Sequence, residues 1–441
     1  MLYLSTLRLP RRSAVSIQKI LMNTNDNLLK LKDIVSLQTL PRDDYDHHMF
    51  LSPKTMRQDS TSLKFDQLVT FMVSESNDKQ RGPQQLADFR WHWEVVLMSL
   101  SQAIFLRKWL VVMLDKSAYG PNGSHHIKAF GFHLTPLRDI VTYLHEVGLV
   151  EYKEGKKFKD NPSATRVFPT GELVEQLWMY FLDIKQDIKP PYVTIKNSSD
   201  GWGRLVDRSV KSHPDKLGMA TINEFLKDHK WACKGPVQLK YNTSAFEGGR
   251  LYTPFQTLPD RTCRVRINTL IDDEPICEVD FNANHLRLNL AVLHSQNAGE
   301  APYEEIAELS NLSDNSDLNR NQIKRFITVA MGAGNEAEAF KALNIHGFDT
   351  VLFEKIKLGT LKRFPKLSLF DGWGLSAQNL EGAILRKVML EGVNKGIVAL
   401  PVHDAIAVKQ GDAEWAKEAM ERVWNEETLG GKTRLKIDYP D

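Results

Sequence analysis

The chain has 441 residues, with 57 Lys and Arg against 55 Asp and Glu. That length predicts two or three domains rather than one core, and the near-neutral charge means any basic nucleic-acid surface is local. Three cysteines (Cys233, Cys263, Cys277) with no C-x-x-C pair argue against a zinc ribbon and a disulfide scaffold; no apolar run approaches the roughly 20 residues that span a bilayer, so a cytoplasmic location without a membrane partner is expected.

Met1 to Leu21 contains no acid and carries Arg8, Arg11, Arg12 and Lys19. Such a stretch can be an organellar transit peptide; a disordered leader, or a true start at Met22, is the preferred reading. Residues 1–87 as a whole show no clear periodicity and are expected to be a poorly defined N-terminal region. Helical periodicity runs from Trp91 to Leu114, and the Gly/Pro/Asn/Ser loop from Tyr119 to Ser124 breaks it. Thr135 then offers an N-cap, Pro136 suits the first helical position, and Leu137, Ile140, Val141, Leu144 and Val147 share a face up to Gly148.

Beyond Gly148 come Leu149 to Tyr152, a turn with Lys153, Lys156, Lys157 and Lys159, the segment Ala164 to Phe168, and a helix from about Thr170. This order of helix, short strand, basic turn, strand and helix resembles a DNA-binding winged helix over residues 88–185. The resemblance implies a recognition helix at Pro136 to Val147 and a wing at Lys153 to Arg166. Cations on a hairpin can lie along phosphates, so Arg138, Lys153, Lys156, Lys157 and Arg166 are the candidate nucleic-acid contacts. The same fold also serves packing or protein contact alone. Residues 186–245 read as a connector or thumb-like region, with an amphipathic helix near Asp215 to Lys230.

The chemistry-bearing residues lie in 246–441. Ile276 to Phe281 has the β-branched, alternating character of a strand, and it ends near Asp280 just before a helix at Asn284 to Leu290. Gly396 to Val402 and Ala405 to Lys409 are two apolar strands separated only by His403-Asp404, which predicts a tight hairpin with Asp404 at its tip. Taken singly, each Asp is an ordinary strand-end or turn residue. As a pair, two carboxylates about 4 Å apart repel by roughly 4 kcal/mol at an effective dielectric near 20, and divalent cations relieve that penalty.

The ordered set resembles the palm of family A nucleic-acid polymerases, of the DNA polymerase I kind. Asp280 followed seven residues later by Arg287 matches the first palm motif, and Val402-His403-Asp404 the third. Gly249-Arg250-Leu251 and Gln256-Thr257-Leu258-Pro259 precede them in order, Arg320-Asn321-Gln322-Ile323-Lys324 supplies a fingers Arg-x-x-x-Lys, and Gln378 opens the helix before the hairpin. The resemblance implies an α+β fold, a palm of antiparallel sheet and helices in 246–441 with reduced fingers inserted at about 300–370, preceded by the winged-helix-like domain. It implies that Asp280 and Asp404 hold two Mg²⁺ ions, with Mn²⁺ as an alternative, and that Lys324 serves catalysis. Arg320, Lys324, His285 and Met331 would meet the nucleotide, and Arg250, Gln256, Arg287, Gln378 and His403 the primer and template.

The chain departs from the family pattern in three places. His285 stands where the family has Glu, Ala405 where an acid usually follows His-Asp, and Met331-Gly332 where Tyr-Gly is usual. The short spacings, and the lack of an upstream pattern resembling a proofreading exonuclease, resemble the compact polymerases of mobile genetic elements. The expected activity is template-directed extension of a nucleic-acid primer with nucleoside triphosphates, as a DNA polymerase without proofreading and with replication proteins as further partners. A primase or single-subunit RNA polymerase-like enzyme is one alternative. A replication initiator that binds DNA through the winged helix and keeps a non-catalytic palm is another.

Overall fold

The computed structural model describes residues 40–41, 43, 48–51, 63–77, 79–121, 123–155, 164–182, 187–199, 205–209, 212–242, 244–258, 264–312 and 316–440. The fold is mixed α+β, and the chain separates into two compact units. One comprises 1–187 with 231–235 and 257–269; the other comprises 188–230, 236–256 and 270–441. The proposed leader at Met1 to Leu21, and Lys156 and Lys157, lie outside the described residues. No described helix is long and apolar enough to cross a membrane.

The first unit runs β1 (His48–Phe50), α1 (Leu63–Ser76), α2 (Pro83–Leu106), β2 (Trp109–Val111), α3 (His125–Phe130), α4 (Leu134–Glu146), β3 (Val150–Lys153), β4 (Arg166–Pro169) and α5 (Gly171–Leu182). Its four-stranded sheet has the order β1-β2-β4-β3, with β3 and β4 an antiparallel hairpin, β2 antiparallel to β4 and β1 parallel to β2. The periodicity expected to continue to Leu114 stops at Leu106. Arg107 caps α2 in the left-handed region at φ 53°, and the buried Trp109-Leu110-Val111 run after it forms β2. Helix α4 starts two residues earlier than its sequence signals suggest, with His133 rather than Thr135 at the N-cap. Leu137, Ile140, Val141 and Leu144 are its buried stripe.

The second unit opens with β5 (Val193–Ser199), β6 (Leu205–Ser209), α6 (Lys216–Lys227), β7 (Gln238–Asn242) and β8 (Gly248–Tyr252). These strands form a sheet ordered β6-β5-β7-β8, so much of the segment read as a connector is sheet. Next come β9 (Leu270–Ile271), β10 (Glu274–Phe281), α7 (Asn284–His294), α8 (Pro302–Leu309), α9 (Ser316–Gly332), α10 (Glu336–Asn344), α11 (Thr350–Arg363) and α12 (Gly374–Lys395). The unit closes with β11 (Leu400–Val402), β12 (Ala405–Lys409), α13 (Ala413–Glu427) and β13 (Leu435–Asp438).

Strand β10 lies at the centre of the second sheet of this unit, ordered β11-β12-β10-β13 and antiparallel throughout, with β9 paired to the start of β10. Ile276, Cys277 and Val279 are buried there, while Asp280 at the end of the strand is exposed. Helices α7 to α11 share a separate apolar core in which Leu286, Tyr303, Phe326, Met331 and Phe353 meet. Helix α9 turns Ile323, Phe326, Ile327 and Ala330 into that core; Arg320 and Lys324 flank this stripe, Arg320 half-buried and Lys324 exposed.

Candidate active site

Asp280 and Asp404 come together through strand register. In β10, Asp280 pairs with Ala405 of β12, and Ala405 pairs in turn with Val402 of β11. The β11–β12 hairpin therefore has His403 and Asp404 as its two turn residues, with His403 in the left-handed region at φ 56°. That turn sets Asp404 beside the end of β10. Each Asp raises the electrostatic cost of ionising this corner. Burial, and then the charge of Asp404, push the Asp280 carboxyl up to about 7, with Lys324 opposing. Burial and the charge of Glu381 likewise raise Asp404, against its own backbone N–H, Lys324 and His285. Asp280 keeps one side open to solvent, so protein crowds its carboxyl without enclosing it.

Lys324 is exposed on α9 and acts on both carboxylates. Arg320, one turn earlier, pairs with Glu304 at 3.2 Å and lies over the Tyr303 ring at 5.6 Å. Tyr303 is buried and feels the charges of Arg320, Asp404 and Arg287, so it belongs to the floor of this corner. No sequence motif marks it.

The residue that sequence reasoning passed over is Glu381 on α12, which is 1% exposed. Its Oε1 accepts from Arg250 Nε at 3.1 Å, while Oε2 accepts from His285 Nε2 at 3.1 Å and from Asn284 Nδ2 at 3.3 Å. Asn284 is held on its other side, where Oδ1 accepts from Trp424 Nε1 at 3.1 Å. Burial alone would raise the Glu381 carboxyl, but the hydrogen bonds and charges of His285 and Arg250 hold it below its ordinary range. The usable signal was an acid three residues after Gln378 on an otherwise apolar helix face.

Backbone contact brings Arg250 and Glu381 together. A Cβ at Gly382 would stand 1.9 Å from the Gly249 carbonyl oxygen, so helix α12 meets strand β8 with no room for a side chain. Gly249 itself has φ +77°, and a Cβ there would lie 2.7 Å from the Tyr241 ring. Each glycine neighbours one of the two charged residues.

The remaining candidates occupy varied places. Gln378, expected to open its helix, is half-buried as the fifth residue of α12, one turn before Glu381, and His403 is exposed in the hairpin turn. Met331 is fully buried in the α7–α11 core. Arg287 is 4% exposed, and its guanidinium donates to the carbonyls of Asn282 at 2.9 Å and Glu300 at 3.4 Å. Gln256 is buried, and its Oε1 has no hydrogen-bond partner among the described residues. These three face protein rather than the Asp280–Asp404 corner.

In the first unit, Arg138 is exposed on α4. Lys153 and Arg166 form a cross-strand pair at the base of the β3–β4 hairpin. Both are engaged by Asp43: Arg166 Nε and Nη2 each donate to it at 2.6 Å, and Lys153 Nζ at 2.9 Å. With Arg166 the main cause, the Asp43 carboxyl is held well below the usual range. Asp88, His92 and His133 also cluster in this unit, their ligand atoms within 4.8 Å of one another. His92 Nδ1 donates to the Asp88 carbonyl at 2.7 Å, and its Nε2 accepts from the His133 backbone N–H at 2.9 Å. Nε2 thus fastens α2 to the start of α4 while Nδ1 bonds within α2, and no lone pair of His92 is left for a metal.

No family model and no curated protein matches the chain. Among solved structures, the POL domain of Pol1 from M. smegmatis, in complex with DNA primer-template and dNTP, aligns over 88% of this chain and 80% of that chain. The TM-score is 0.33 and the identity 10%. A likeness at that level carries no argument about this chain.

Proposed function

We propose that the second unit is a template-directed nucleotidyltransferase that extends a nucleic-acid primer with nucleoside triphosphates, as a DNA polymerase without proofreading. The observation that carries this reading is the strand register that sets Asp280 beside the Asp404 turn, two carboxylates each driven toward protonation by burial and then by neighbouring acids. Hard oxygen donors under mutual repulsion suit Mg²⁺. Asp280 and Asp404 would hold the ions, which when bound supply activation of the primer 3′-hydroxyl and stabilisation of the leaving pyrophosphate. Lys324 and Arg320 lie one helical turn apart on α9 and can receive the triphosphate electrostatically. Arg250 and His285 stand on opposite sides of Glu381, and Gln378 a turn away, where a primer end and an incoming nucleotide can be gripped.

Helix α2, strand β2, helices α3 and α4, then the β3–β4 hairpin with β2 added to its edge, support reading the first unit as a winged helix. A primase activity remains within the same chemistry. Purified full-length protein is assayed with primed and unprimed templates, dNTPs or NTPs, and Mg²⁺ or Mn²⁺. Incorporation that Asp404→Ala abolishes is the expected result. No incorporation of either substrate class, or full activity in that variant, refutes the assignment. An initiator with a non-catalytic palm would instead bind its DNA unchanged in an Asp280→Ala/Asp404→Ala double variant while the wild type incorporates nothing.

A further inference from the structure

We infer that Glu381 is a positioning residue, presenting the Arg250 guanidinium as a pre-oriented donor and the His285 ring as a fixed polar edge toward the substrates of the Asp280–Asp404 site; this rests on the nucleotidyltransferase reading. Its carboxylate takes one nitrogen from each, Nε of Arg250 and Nε2 of His285, both at 3.1 Å. The two terminal NH₂ groups of Arg250 and Nδ1 of His285 bond no partner among the described residues. The Arg250 side chain is 30% exposed and that of His285 18%, whereas Glu381 is 1% exposed. The acid is therefore enclosed, and the free ends of its two partners reach solvent.

An ion pair serving the fold alone is an inefficient choice here, because apolar residues of similar volume commonly replace buried pairs without loss of stability. Arrangement for ligand binding explains the geometry better. A planar guanidinium fixed at Nε keeps its remaining forked donors in one plane, suited to oxygen acceptors of a phosphodiester or sugar. The imidazole, fixed at Nε2, keeps Nδ1 aimed outward. Both fixtures are rigid because Asn284 fills the same carboxylate oxygen as His285, and because α12 and β8 touch backbone to backbone at Gly382 and Gly249. Pre-organised donors of this kind act without reorganising as the reaction proceeds.

The test is single-turnover nucleotide incorporation by the full chain on a primer-template with Mg²⁺, with kcat and KM for the nucleotide measured separately. Glu381→Gln retains the shape and one carbonyl acceptor but cannot accept from both Arg250 and His285. It is expected to lower kcat/KM about ten- to a hundredfold, as for a lost hydrogen bond to a charged group. In the Arg250→Ala/His285→Ala background the same change is expected to cost less than threefold, since both of its targets are gone. A kcat/KM for Glu381→Gln within twofold of wild type, or a loss that multiplies onto that background in the triple variant, overturns the inference. Should Glu381→Gln fail to fold, His285→Ala carries the test, an unchanged kcat/KM again overturning it. A wild-type protein that incorporates nothing brings down the nucleotidyltransferase reading itself and this role with it; an active wild type with an indifferent Glu381 brings down this inference alone.

Discussion

Replacing Asp280 by Asn is expected to abolish incorporation and, without divalent cations, to stabilise the fold. The Asp280 carboxyl rises from an ordinary 3.8 to about 7, through burial and the charge of Asp404. At about 1.36 kcal/mol per pKa unit, that is about 4 kcal/mol in favour of the neutral form. One side of Asp280 faces water, where charges are screened, so a net gain of about 1–2 kcal/mol is the reasonable expectation. The sign follows from proton binding. Between about pH 4 and pH 7 the folded protein holds a proton on this group that the unfolded chain has released, so wild-type stability falls as pH rises through that window. The Asp280→Asn variant lacks this dependence. Urea unfolding, followed by fluorescence of the nine tryptophans with divalent cations chelated, should show the variant more stable at pH 8 and the gap closing by pH 4. Millimolar Mg²⁺ should stabilise the wild type and leave the variant unmoved. A variant equal to or weaker than wild type at pH 8 would refute the account of crowded carboxylates.

Three further outcomes are expected. Gly382→Ala gains about 1 kcal/mol of helix propensity, yet its methyl would stand 1.9 Å from the Gly249 carbonyl oxygen; a net loss of about 1–2 kcal/mol should lower the urea midpoint, together with reduced incorporation as Arg250 and Glu381 separate. Arg287→Met should destabilise by about 2 kcal/mol, because the Asn282 and Glu300 carbonyls lose their buried donor, and its residual activity should track the folded fraction in parallel thermal melts. Asp43→Asn frees Lys153 and Arg166 from the carboxylate that now holds them; fluorescence anisotropy should show tighter binding of duplex DNA and a steeper salt dependence, and unchanged binding would remove those two residues from the proposed nucleic-acid surface.

Local order carried much of the fold into view in the sequence. The β-branched strand at Ile276 to Phe281, the two-residue gap at His403-Asp404 and the stripe on α4 all follow from periodicity and turn chemistry over short windows. The position of Asp404 at a hairpin turn needed only its flanking apolar runs. What stayed hidden depended on residues distant in the chain. Glu381 lies 131 positions from Arg250 and looked like one acid on an apolar helix, because its partners arrive from β8 and α7. Arg287 matched motif spacing and Met331 only stood nearest the place of the family's ring, but side-chain direction is set by packing: α9 turns Met331 into its core, and α7 turns Arg287 onto two carbonyls. The strand ending near Asp280 and the His403-Asp404 hairpin turn were thus determined by sequence alone. Tertiary structure decided which charges face each other, since burial and contact, rather than spacing, govern the electrostatics of a site.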